Sequence, residues 1–321
     1  MALIDRLRSA IGDNDAPAPA LATEGEAQAL ADRLPDLLIE AMRVSNTLVH
    51  GIHGRRRSGP GETFWQFRHY EQTDDAALID WRRSASSDQY FVREREWEAA
   101  HTFWLWANLS PSMSFKSHLA ATFKRDRALV MLLAAAELLV RSGERVAYLG
   151  LTRPTASRRA ASRIAETLAA HQSDAVLTES LPPGQRIARH SAVVLFSDFL
   201  DPPGETIRRM QELADGGAQG HLILILDPAE ESLPYDGRTE FLSPGGRDVW
   251  VADRVEAIRS SYQERLHAHR DELATSAAQI GWSFMVHHTD RPAAEPLLSL
   301  SMRLQDRSAS LATLGLTRGI A

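Results

Sequence analysis

From Thr102 onward the chain alternates continuous apolar runs with amphipathic stretches. The runs "TFWLWAN", "RVAYLGL", "SAVVLFS", "HLILILD" and "WSFMVHH" lack the in-out alternation of a half-covered strand, and so predict strands buried on both faces, as in a parallel sheet. Between them "DRALVMLLAAAELLVRSG", "SRRAASRIAETLAAH", "GETIRRMQELADGG" and "DRVEAIRSSYQERLHAHRDELATSAAQIG" carry helical spacing, the first stopping at Gly143. Strands alternating with helices in this way predict an α/β fold with a doubly wound, mostly parallel sheet. One interruption, "PYDGRTEFLSPGGRDVWVAD", has turn signals between short extended runs and predicts a hairpin before the last long helix.

Upstream the pattern changes. "EAQALADRLPDLLIEAMRVSNTL" places Leu30, Leu34, Leu37, Leu38 and Met42 at helical spacing and predicts a helix with a break, or a fresh first turn, at Pro35. The stretch that follows, up to about residue 100, is dense in Gly, Arg and aromatics and predicts loops joined to short strands. Before the helix, an amphipathic "MALIDRLRSAI" leads into the Ala- and Pro-rich "GDNDAPAPALATEGE", which reads as a linker. The expected division is therefore a short helix and linker over 1–23, a helix plus strand-and-loop module over 24–100, and the α/β domain over 101–321.

Composition removes several function classes. A net charge of −6 supplies no global attraction to nucleic acid, and the absence of cysteine removes disulfides and thiolate chemistry. The first residues carry no apolar core segment followed by a cleavage site, and the longest apolar run, "ALVMLLAAAELLV", is too short to span a bilayer and contains Glu137. The expectation is a soluble, cytoplasmic protein.

In a doubly wound sheet, ligands bind outside the carboxyl ends of the strands. The first strand ends in "ANLSPSMSF", where Ser110 and Ser112 offer two hydroxyls on a turn. Such a turn suits a helix cap, an anion on backbone amides, or a hard cation on oxygen. A second strand ends in "LFSDFLD", bringing Ser197, Asp198 and Asp201 to the same edge, which favours the cation.

This pair of strand ends resembles the metal-ion-dependent adhesion site of von Willebrand factor A domains, whose motif is Asp-x-Ser-x-Ser. Upstream, Gly59, Gly61, Arg68, Tyr70, Asp74, Asp75, Ile79, Asp80, Trp81 and Arg82 form a pattern of a Gly-rich turn, Arg-x-Tyr, an acidic pair and Ile-Asp-Trp with a basic residue. This pattern is similar to the signature of the domain of unknown function 58 family, which precedes an A-type domain. The resemblance spans roughly residues 45 to 300. It implies Mg²⁺ held by Ser110 and Ser112 with Asp198 acting directly or through water, and Thr152 or Thr155 as a further ligand. It also implies a MoxR-type AAA+ ATPase as partner, with this chain a protein-binding adaptor in chaperone-like assembly or metal insertion on a client protein. Docking would use Asn108, Ser110, Ser112, Asp198 and Asp201. Where the family motif has its leading aspartate, this chain has Asn108, a neutral amide with one oxygen. Three arrangements follow: a weakened Mg²⁺ site, a site completed by a partner's carboxylate, or a vestigial turn held by hydrogen bonds.

Other signals are weaker. "GRRRSG" has phosphate-loop spacing, but Pro60 and Gly61 stand where Lys and Ser or Thr are required. Arg55, Arg56 and Arg57 near Phe64, Trp65 and Phe67 suit nucleic acid less well than a loop paired with acidic residues. His267 and His269 lie two apart on a helix and His287 and His288 are adjacent on a strand, so neither pair converges on a metal. A hydrolase, serine-based on Ser110 or Ser112 or metal-assisted on Asp198 and Asp201, is the rival reading, although "NLSPS" lacks the glycines of a nucleophile elbow.

Overall fold

The computed structural model describes residues 24–52, 64–71, 76, 79–85, 87, 89–95, 100–171, 175–189, 191–244 and 248–304. The run 1–23 and, of the residues singled out above, Arg55, Arg56, Arg57, Gly59, Pro60, Gly61, Asp74 and Asp75 lie outside them. Two compact units are present, one over Ile52–Ala100 and one comprising the rest of the chain. The helix at 24–52 thus groups, up to Gly51, with the α/β sheet and not with the strand-and-loop module.

That helix, α1 (Glu24–Ile52), runs through Pro35 without the expected break. Its buried stripe is Leu34, Leu37, Ala41, Ser45 and Leu48, spaced three and four apart on both sides of the proline. Three buried leucines stabilise by about 2 kcal/mol each, which outweighs the roughly 3 kcal/mol that an internal proline costs. Met42, expected on the apolar face, is instead exposed.

In the smaller unit, β1 (Phe64–His69) and β2 (Phe91–Arg95) pair antiparallel, with a bulge between Phe64 and Gln66. The Ile-Asp-Trp signature lies between them and has a structural job. Asp80 accepts the backbone N–H of Arg83 at 3.0 Å and caps the one-turn helix Trp81–Ser84. Ser84 is buried and its hydroxyl accepts the Phe91 N–H at 2.9 Å, fastening that turn to β2. Tyr90 meets both Tyr70 and Trp81 edge-on. Trp81 and Arg82 are exposed, while Ile79 forms an isolated bridge to Val92.

The larger unit follows the strand and helix pattern closely. In chain order come β3 (Thr102–Ala107), α2 (Lys124–Arg141), β4 (Arg145–Tyr148), α3 (Ala160–Ala170), β5 (Ser191–Ser197), α4 (Pro203–Ala214) and β6 (Gln219–Leu226). The hairpin β7 (Thr239–Leu242) and β8 (Val249–Ala252) stands apart as its own antiparallel sheet, followed by α5 (Arg259–Gln279), β9 (Ser283–His288) and a helix over 294–304. The five apolar runs form one parallel sheet in the order β4-β3-β5-β6-β9.

Burial explains why these runs carry no polar face. Every residue of β5 is buried, and all of β6 except Gln219, so both sides of the sheet centre are covered. Helix α2 is buried continuously from Ala128 to Ala136, because the sheet covers one side while α1 and α3 pack around the rest. The Arg33–Asp126 ion pair and a 2.7 Å bond from Arg141 to Asn46 fasten α1 to α2. Helices α4 and α5 pack on each other, with α5 against β9. Helix α2 stops at Arg141, and Gly143 then adopts φ +90°, the left-handed conformation that glycine accepts without a Cβ clash.

The strand order fixes where a site belongs. From β3 the chain moves outward to β4, then returns across β3 to β5, so the winding reverses between β3 and β5. In doubly wound sheets that reversal opens a crevice at the carboxyl ends of the two strands. Asn108 follows β3 and Asp198 follows β5, so the two predicted strand-end motifs flank it.

Candidate functional site

Asn108 extends the sheet by one more bond, its N–H donating to Phe196 O at 2.9 Å, before the chain turns away. Its side chain organises that turn. The carbonyl oxygen accepts the Ser110 N–H at 2.8 Å, while the amide nitrogen donates to Ser197 Oγ at 3.1 Å and to Asp198 Oδ1 at 3.2 Å. An amide supplies both an acceptor and a donor, so one fully buried side chain joins its own turn to the end of β5. The hydroxyls of Ser110 and Ser112 then bond each other at 3.1 Å, and a 3-10 turn over Pro111–Ser114 follows.

On the β5 side, Ser197 Oγ accepts the Phe199 N–H at 3.0 Å. Phe199 is buried with φ 44°, a left-handed conformation that is costly for a bulky side chain and is held here by its surroundings. Its carbonyl accepts a bond from His269 Nε2 on α5 at 2.7 Å. Asp201, half-buried, accepts the Ser180 hydroxyl at 2.7 Å, and burial pushes its carboxyl above the ordinary aspartate value.

The residue that completes the cluster is Lys124, at the first turn of α2. Its ammonium is excluded from solvent and lies 3.0 Å from Asp198 Oδ2 and 2.6 Å from Glu230 Oε1. A cation at a helix N-terminus opposes the helix dipole by about 0.3–1 kcal/mol, so the two carboxylates must more than offset both that and desolvation. Burial pulls the ammonium toward neutrality, but Asp198 and Glu230 outweigh it and its pKa ends above the ordinary lysine value. The charged form is the one the fold holds.

Glu230 is positioned by a capping box after β6. Asp227 Oδ1 accepts the Ala229 N–H at 2.9 Å, and Glu230 Oε2 accepts the Asp227 N–H at 2.8 Å, leaving Oε1 for Lys124. Asp227 Oδ2 also accepts the Ser117 N–H at 2.8 Å, which ties the loop after β3 to the end of β6. Tyr262 on α5 donates to Glu230 O at 2.6 Å.

The structure therefore brings Asn108, Ser110, Ser112 and Asp198 together and puts Asp201 on the adjoining loop. Thr152 and Thr155 are engaged locally: Thr152 Oγ1 accepts the Tyr148 N–H at 2.7 Å and Thr155 Oγ1 accepts the Ser157 N–H at 3.2 Å. Lys124, Asp227 and Glu230 are absent from the sequence-level site. Two signals pointed to them: a lysine on the first turn of a helix, where cations are disfavoured, and "DPAE" directly after a strand, an acidic capping box with proline at the first helical position.

As arranged, these groups do not fit a divalent cation. Both oxygens of Asp198 carry hydrogen-bond donors, and the single oxygen of Asn108 is taken by Ser110 N–H. Among the described residues no group of three His, Asp or Glu side chains is placed to hold a metal. Among the described residues, neither Ser110 nor Ser112 has a histidine base beside it, since their hydroxyls bond each other while His269 is bonded to a backbone carbonyl and His288 to Glu231 at 2.6 Å. Around the cluster, Phe115 and Leu119 on the loop after β3 and Leu200 on the loop after β5 are exposed by 37%, 42% and 37%.

The family profile described as "Protein of unknown function DUF58" matches residues 66–272, and the chain belongs to that family. Uncharacterized proteins of Mycobacterium bovis and Mycobacterium tuberculosis are 26% identical over 279 residues, covering 82% of this chain and 86% of theirs. A solved structure described as the conserved hypothetical protein BatB from Bacteroides thetaiotaomicron covers 65% of this chain and 100% of its own, at 14% identity and a TM-score of 0.34. Among the described residues no helix is long and apolar enough to cross a membrane.

Proposed function

We propose that this member of the DUF58 family is a non-enzymatic adaptor that binds other proteins at the carboxyl edge of its sheet, around Asn108, Ser110, Ser112, Asp198 and Asp201. The observation that carries this reading is the contrast between the cluster and its rim. The polar groups at the centre are committed to one another, whereas Phe115, Leu119 and Leu200 are large apolar side chains left in water on the two loops flanking the strand-order reversal. A hydrolytic site needs a nucleophile within reach of a base. A docking site needs apolar anchors on a rigid support, and the buried ion pairs beneath these loops supply the support.

The resemblance of the upstream signature and the Ser-x-Ser turn to the family pattern supplies the partner class: a MoxR-type AAA+ ATPase, with this chain delivering a client protein for chaperone-like assembly or metal insertion in the cytoplasm. The test is co-purification from native lysate with the tagged parent and with a Phe115→Ala/Leu200→Glu variant. Retention of an AAA+ ATPase by the parent and its loss from the folded variant supports the reading. Turnover of ester or phosphate substrates that disappears with Ser110→Ala would overturn it in favour of hydrolysis.

A further inference from the structure

An adhesion-type metal site works by leaving oxygen lone pairs free for a divalent cation, which in turn neutralises the carboxylates around it. Here the neutralising charge comes from within the chain. Lys124 Nζ lies 3.0 Å from Asp198 Oδ2 and 2.6 Å from Glu230 Oε1, and its side chain is wholly excluded from solvent. The other oxygen of Asp198 accepts from the Asn108 amide at 3.2 Å, a bond that only a donor at position 108 can make. An aspartate there would set a second acid against Asp198 and lose that bond. Asparagine at 108 and lysine at 124 therefore act in the same direction: one removes a negative charge from the strand ends, and the other supplies a fixed positive one.

We propose that the Lys124 ammonium stands in for the divalent cation of this adhesion-like site, so that Asn108 and Lys124 form a matched pair and the strand ends assemble without metal. The ammonium also links three segments: the start of α2, the end of β5 through Asp198, and the capping box after β6 through Glu230. This holds whether or not the chain is an adaptor, because it concerns how the site is built.

The experiment is Mn²⁺ titration of the full chain, followed by the loss of the free-ion electron paramagnetic resonance signal and by thermal unfolding with Mg²⁺ or chelator. The parent is expected to bind no Mn²⁺ up to millimolar concentration and to unfold at the same midpoint in both buffers. Asn108→Asp/Lys124→Met restores the acid and removes the ammonium, and is expected to bind Mn²⁺ at least tenfold more tightly than the parent and to gain stability on adding Mg²⁺. Stoichiometric binding by the parent that is lost with Asp198→Asn overturns the proposal. So does a folded double variant with no more affinity than the parent. Should the double variant fail to fold, the parent titration and its chelator control decide the matter alone.

Discussion

Lys124 and Asp198 hold each other at 3.0 Å with both side chains shut off from water, and the bond spans 74 positions of the chain. Such a pair is poor evidence of net stabilisation, because taking two charges out of water costs about as much as their attraction returns. Removing one partner is another matter. Lys124→Met leaves Asp198 and Glu230 buried without their counter-charge, and is expected to lower stability by about 3–5 kcal/mol. A urea titration reads this as a lower midpoint. Lys124→Met/Asp198→Asn should recover part of the loss, and that coupling is the signature of the pair. A single-variant loss well below 1 kcal/mol would mean that water reaches the ammonium in solution.

Gly220 on β6 faces Trp282 so closely that a Cβ would lie 1.9 Å from the indole ring. The indole is buried and anchored by its N–H, which donates to Ala218 O at 3.1 Å, so the ring has little freedom to retreat. Gly220→Ala is therefore expected to destabilise by about 1–3 kcal/mol through overpacking, despite alanine's milder backbone entropy. Gly220→Ala/Trp282→Leu should lose less than the two single variants summed. Thermal unfolding of the four proteins completes the cycle, and strict additivity would rule out the contact as the cause.

The sheet was legible because its strands are buried on both faces: "SAVVLFS" and "HLILIL" carry no polar side to confuse the period, and their boundaries fall at Ser197 and Leu226 as the runs suggest. Pro35 misled for a local reason, since propensity at one position could not register the leucine stripe packing on α2. The site was half legible. Asn108, Ser110, Ser112 and Asp198 follow apolar runs and so announce themselves at strand ends. Lys124 leaves only a weak trace in "TFKRDRALV", a cation on the first turn of a helix, and it takes the approach of Asp198 and Glu230, 74 and 106 positions away, to show that it is buried. Contacts at that separation leave no local periodicity to read.

Asp227 supports the loop that carries Phe115 and Leu119. Its Oδ2 accepts the Ser117 N–H at 2.8 Å and its Oδ1 the Ala229 N–H at 2.9 Å, with the side chain fully buried. Asp227→Ala strips both amides of their partner and is expected to cost about 1–3 kcal/mol. Because the first of these bonds lies outside any helix or strand, its loss should show as faster hydrogen exchange at the Ser117 amide. Exchange there unchanged from the parent would mean that the loop is held by something else.

His287, near the end of β9, makes stability depend on pH. It is 3% exposed, its Nε2 has no hydrogen-bond partner among the described residues, and burial together with Arg127 and His288 lowers its pKa from 6.5 to about 3. The folded protein thus keeps the imidazole neutral while the unfolded chain takes up a proton near pH 6.5. Below that value the unfolded state binds more protons, so stability is fully present above pH 6.5 and is lost as pH falls toward about 3. Between pH 6.5 and about 5 this one residue should account for roughly 1.5 kcal/mol. His287→Leu removes the proton site, so the fall in urea midpoint over that interval should be shallower than in the parent by the same amount. Parallel pH profiles for parent and variant would show that His287 is already protonated in the folded protein, or hydrated enough to titrate normally.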